Sequence, residues 1–117
     1  MICRYRCVFF ISLIFAACGV RHSSDALRLQ LLRETPVGSV KTAVMQRSKN
    51  EERPIREIYL VTAESPSIVR RPDVASYVKI YLGHYRNILR VDVVAYYLFD
   101  SRDQLVDVVV LKETDSL

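Results

Sequence analysis

The chain reads as an α+β domain: two N-terminal helices packed on a three- to four-stranded antiparallel sheet, behind a signal peptide. Three observations predict this. Apolar residues recur at helical spacing between Leu27 and Val44, and the pattern changes to alternation at Ile55. Two long runs rich in β-branched and aromatic residues then close the sequence around a short polar turn.

Asp25 is placed to cap the first helix, whose apolar residues are Leu27, Leu29, Leu31 and Leu32. Thr35-Pro36-Val37-Gly38 ends it, because proline disfavours a helical residue before it and glycine supplies a flexible corner. Ser39 is the expected N-cap of a second helix with Val40, Ala43 and Val44 on one face, ending near Asn50. A first strand is expected over 55–62, with Ile58 and Leu60 on one face and Tyr59 and Val61 on the other. Pro66, Pro72 and the Arg70-Arg71 pair mark a long loop, followed by a strand over 76–82 and a turn over 83–87.

The runs 88–99 and 104–112 are the strongest signal. Asp100-Ser101-Arg102-Asp103 between them is a hairpin loop of common length. That loop sets Phe99 opposite Gln104, Tyr97 opposite Val106, Ala95 opposite Val108 and Val93 opposite Val110. Leu98 then faces Leu105, and Tyr96 faces Asp107, on the other side of the sheet. The face of Val93, Ala95, Tyr97, Phe99, Val106, Val108 and Val110 is expected under the helices.

The first residues carry the expectation about location. Arg4 and Arg6 precede an apolar run over 8–17 interrupted by Ser12, and Ala16-Ala17 precede Cys18. A positive start, a short apolar segment and small residues make a secretory signal. The run is about half the ~20 residues a spanning helix needs. Phe15-Ala16-Ala17-Cys18 resembles the lipobox of bacterial lipoproteins, with Phe15 where leucine is usual. The resemblance implies lipidation of Cys18, cleavage before it, and a division into signal peptide 1–17, lipidated tether 18–24 and one α+β domain over 25–117. Gly19 stands where the inner-membrane retention signal of such proteins is an aspartate. The implied address is the cell envelope, and the outer membrane facing the periplasm in a Gram-negative host. Cys3 and Cys7 leave with the signal, so the mature domain has no thiol for a disulfide, a metal site or nucleophilic catalysis.

The order helix, helix, strands, and the hairpin Leu98-Phe99-Asp100 followed by Leu105, also resemble the small outer-membrane-assembly lipoproteins of the SmpA/OmlA type. The chain has neither the Gly-Met helix start nor the Gly-x-Pro helix exit of that family, so the likeness is one of architecture and hairpin. It implies an accessory binding module and not an enzyme.

Charge and side-chain inventory agree with that class. The formal charge of +4 is spread along the chain, and no basic stripe of a nucleic-acid binder stands out. His22 reads as solvated linker and His84 as a surface turn residue, with no second ligand at metal spacing. Asp100 and Asp103 fit turn chemistry. No nucleophile elbow or calcium loop is present, and no cofactor or metal is expected. Two surfaces are candidates for recognition. Val94, Tyr96, Leu98, Leu105, Val109 and Leu111 form a sheet face too apolar for solvent, fit either to dock a partner or second copy or to lie under the linker and long loop. Arg70 and Arg71 are candidates to meet anionic headgroups or an acidic partner, or simply to be solvated. The expected function is a non-catalytic envelope lipoprotein that binds another protein; the alternative is a periplasmic lipoprotein that inhibits a hydrolase.

Overall fold

The computed structural model describes residues 22–114. Two helices, α1 (Ser24–Glu34) and α2 (Lys41–Asn50), precede four strands: β1 (Ile55–Leu60), β2 (Ser76–Arg86), β3 (Arg90–Phe99) and β4 (Leu105–Thr114). The strands form one antiparallel sheet in the order β1-β2-β3-β4, so β1 and β4 are its edges. This is the α+β architecture expected from the sequence.

Both helix starts differ from expectation. Ser23 caps α1, its Oγ accepting from the Ala26 N–H at 3.2 Å, and Asp25 falls in the first turn, where its charge suits the helix dipole. Val40, without a capping side chain, precedes α2. Ser39 is occupied elsewhere: its carbonyl accepts from Leu105 N–H and its hydroxyl donates to the Pro36 carbonyl. Gly38 turns the corner between the helices at φ 95, a conformation that favours glycine.

The helices contribute narrow faces. Leu27 and Leu31, four apart, are buried, whereas Leu29 is exposed. In α2 the buried pair is Val44 and Ser48; Val40 and Ala43 are exposed to solvent, contrary to the expected face. The buried leucines and Val44 close over Val78, Ile80, Val93, Ala95, Tyr97, Phe99, Leu105, Val108 and Val110 in the main core. Burial raises the Tyr97 phenol pKa to about 12.

The register of the last hairpin differs from expectation by two residues along β4: Tyr97 pairs with Val108, Ala95 with Val110, and Leu98 with Asp107. An even shift leaves side chains on their expected faces, which is why the composition of the core survives it. The shift is not uniform, because a bulge separates Phe99↔Leu105 from Leu98↔Asp107. It carries Leu105 into the helix-side core and Val106 to the opposite side, reversing the expectation for both.

β2 runs beyond the expected turn. Gly83 takes φ 144 at a register break with β3, and the strand continues through Arg86. The turn is tight: Arg86 lies directly opposite Arg90, and Asn87 N–H donates to the Leu89 carbonyl at 3.1 Å.

The other sheet face has its own small core. Residues 61–75 fold back over it, placing Val69 and Val74 on Tyr77, Val94, Tyr96 and Leu98, with Val61, Ile68, Val106, Val109 and Leu111 around them. The return is fixed by Val61 N–H to the Ala75 carbonyl and by Ala75 N–H to the Phe99 carbonyl. The domain therefore has three layers: helices, strands and an ordered loop.

Candidate functional site

The expected docking face is not an open surface. Val94 and Tyr96 are 4% exposed, Leu98 is fully buried, and Val109 and Leu111 are half-buried beneath residues 61–75. Leu105 lies on the far side of the sheet, in the helix-side core. The reason is the loop itself: Val69 is fully buried and supplies the apolar contact that the face lacks in its own strands. The Tyr77 and Tyr96 rings meet at 5.7 Å in the same cluster.

Arg71 is likewise engaged within the domain. Its Nη1 donates to Asp107 Oδ2 at 2.9 Å, while its Nε and Nη2 grip Asp73 at 3.1 and 2.9 Å. From the helix layer Arg28 donates to Asp107 Oδ1 at 2.7 Å and to the Val108 carbonyl at 3.0 Å. One carboxylate at the β4 edge thus ties α1 to the loop around the rim of the sheet. Burial opposes ionisation of Asp107, but the donors Arg28, Val108 N–H and Arg71 outweigh it and hold its pKa below the usual value. The pKa of the Arg71 guanidinium is raised, by Asp73 first and Asp107 second. Arg70 is exposed and makes one long bond to the Ala63 carbonyl.

These bonds also obstruct part of an edge. Val108 N–H donates to Asp107 Oδ1 at 2.8 Å and its carbonyl accepts from Arg28, so both outward backbone groups of Val108, in mid-β4, are occupied. The opposite edge contrasts with it. On β1, Ile58, Tyr59 and Leu60 are 49%, 54% and 75% exposed, and β1 pairs with β2 alone. An unpaired edge presenting consecutive apolar side chains is a template for another strand. Ile55 of β1 still packs against the helix-side core, but Ile58 to Leu60 lie beyond it, and Tyr59 makes a tilted ring contact with Tyr77 at 6.0 Å. The signal was present in the alternating 55–62 segment, but nothing in its residues said which strand would be the edge.

The β2–β3 turn is the second exposed apolar feature. Ile88 is 91% exposed and Leu89 39%, above the Arg86–Arg90 pair. Arg90 donates to Asp92 at 3.0 Å. Below the turn, Tyr81 Oη lies 2.7 Å from His84 Nδ1 and the Arg56 guanidinium sits 4.7 Å over the Tyr81 ring. His84 is thus a strand residue with a phenol partner, not a turn residue.

Among the described residues no group of three His, Cys, Asp or Glu side chains is placed to hold a metal. The crevice between α2 and Tyr97, lined by Arg47, Glu51 and Arg53, holds about 10 Å3, room for one water. Asp100 Oδ1 accepts from the Arg102 and Gln104 N–H groups, turn chemistry as expected, and Asp103 ion-pairs with Lys41 at 3.1 Å. His22 is an exposed residue before α1. No described helix is long and apolar enough to cross a membrane. Cys18 and the whole leader lie outside the described residues.

Comparison with known proteins returned no matching family model, no similar curated protein and no similar solved structure. The functional reading therefore rests on the chain's own residues.

Proposed function

We propose that this protein is a membrane-anchored, non-catalytic binding module of the cell envelope, tethered through lipid on Cys18, and that it captures an extended segment of another envelope protein along β1. The observation that carries the binding is the asymmetry of the sheet edges. Arg28 and Asp107 occupy the outward N–H and carbonyl of Val108 in mid-β4, whereas among the described residues β1 leaves its edge unpaired beside Ile58, Tyr59 and Leu60. A strand added there gains backbone hydrogen bonds and alternate side-chain contacts, the mode of β-augmentation. The lipobox-like Phe15-Ala16-Ala17-Cys18 supports the anchor, and the SmpA/OmlA-like order of elements supports an accessory role.

The test is co-purification with the full-length protein carrying Leu60→Lys or Ile58→Lys. The two residues are already 49% and 75% exposed, Ile58 and Leu60 respectively, so the melting temperature should hold while the envelope partner is lost. A partner that stays bound to both variants refutes the β1 site. Recovery of a soluble hydrolase instead of an envelope component replaces this reading with inhibition.

A further inference from the structure

The β2–β3 turn sets an exposed apolar tip above a pair of arginines. Ile88 is an apolar side chain 91% exposed at the apex of a convex hairpin, and Leu89, 39% exposed, follows it. Immediately below, Arg86 and Arg90 face each other across the strands. Like charges in that position repel, and Asp92 neutralises only Arg90. Lys112, over the Tyr85 ring at 5.2 Å, adds a third cation on the same end of the sheet.

We propose that this turn is a membrane-insertion finger: Ile88 and Leu89 enter the acyl boundary of an anionic bilayer while Arg86 and Arg90 meet headgroup phosphates. The dimensions fit. Ile88 stands two residues from each arginine across the tight turn, so the apex lies at most roughly 6–7 Å beyond the pair, the reach of fully extended chain. Interfacial segments bury their apolar face about 5–10 Å into the headgroup and acyl boundary. The paired guanidiniums then lie at phosphate level, where bridging anions relieve their mutual repulsion. A convex apolar tip suits a deformable bilayer better than a protein groove, because the tip presents no flat surface around it to exclude water. The finger is separate from the β1 edge, and, on the reading of a lipid anchor at Cys18, its insertion would give the domain a second point of attachment to the bilayer.

The chain contains no tryptophan, so Ile88→Trp provides a single reporter at the apex. Val37→Trp, at a 64% exposed position between the helices, provides a control. Each full-length variant is reconstituted in phosphatidylglycerol-containing vesicles whose acyl chains carry bromine. The indole of the Ile88→Trp protein should shift to the blue and be quenched, and that of the Val37→Trp protein should remain water-exposed. Adding Arg86→Glu and Arg90→Glu to the Ile88→Trp protein should weaken the quenching at least tenfold. An apex indole no more quenched than the control, in protein that co-sediments with the vesicles, overturns the finger and leaves the anchor standing. Quenching indifferent to the arginine changes overturns it too, as does a blue shift that appears only with an acidic protein. Labelling of Cys18 with fatty acid, measured on the same protein, reports separately on the tether.

Discussion

Asp107→Asn tests whether one carboxylate joins the layers of this domain. Asparagine keeps the shape and an oxygen for Val108 N–H but removes the charge shared by Arg28 and Arg71. The Arg28 and Arg71 side chains are 40% and 39% exposed, so each pair is credited at the modest value of a solvent-screened bridge. Two such pairs amount to about 0.4–2 kcal/mol. A domain of this size loses about 4–8 °C per kcal/mol, so the melting temperature should fall by roughly 2–16 °C. The pH dependence sharpens the test. The folded pKa of Asp107 is depressed below the ordinary value of 3.8, so its stabilisation is complete above that value and disappears as pH falls through the folded one. Urea midpoints of wild type and variant should therefore differ at pH 7 and converge in acid, followed down to the lowest pH at which the wild type still unfolds cooperatively. Equal midpoints at neutral pH, or a gap that persists undiminished below the wild-type titration, would refute the account. A double-mutant cycle with Arg71→Ala should show coupling at neutral pH, since the two groups touch.

Two further outcomes follow from the layers and the leader. Tyr96→Lys places an ammonium in the loop-side core beside Tyr77 and near Lys79, and should cost about 3–5 kcal/mol, the range for truncating a buried aromatic; a melt at the wild-type temperature would mean that residues 61–75 do not cover this face. Cys18→Ser should abolish fatty-acid labelling of the full-length chain, and persistent labelling would remove the anchor from the proposal.

The parts of the structure legible in the sequence are those set by local period. Alternation from Val93 to Phe99 marked the inward face, and it tolerated a register error because the error was even. The bulge that exchanges Leu105 and Val106 left no local sign, since both are apolar and either suits either face. Pro66 and Pro72 announced a loop, but whether Val69 within it packs or dangles depends on a sheet face assembled from distant strands. Arg71 illustrates the same limit: its neighbours suggested an exposed basic pair, whereas its partner Asp107 stands far along the chain. The apolar Ile88-Leu89 step, assigned in sequence to a strand, lies in a turn because β2 runs on past the expected stop, through the register break at Gly83 to Arg86.

The unequal edges have a consequence for how many strands this sheet can accept. Growth of a sheet from copy to copy requires one edge to receive what the other offers, a head-to-tail contact that repeats without limit. At mid-β4 the N–H and carbonyl of Val108 are already engaged by Asp107 and Arg28, so a newcomer there would have to displace them. Among the described residues the outer edge of β1 carries no such bonds, and a second copy joining it edge to edge would meet its own image and end the series. The same bonds that fasten the loop to the sheet therefore obstruct the mid-β4 step of such a series.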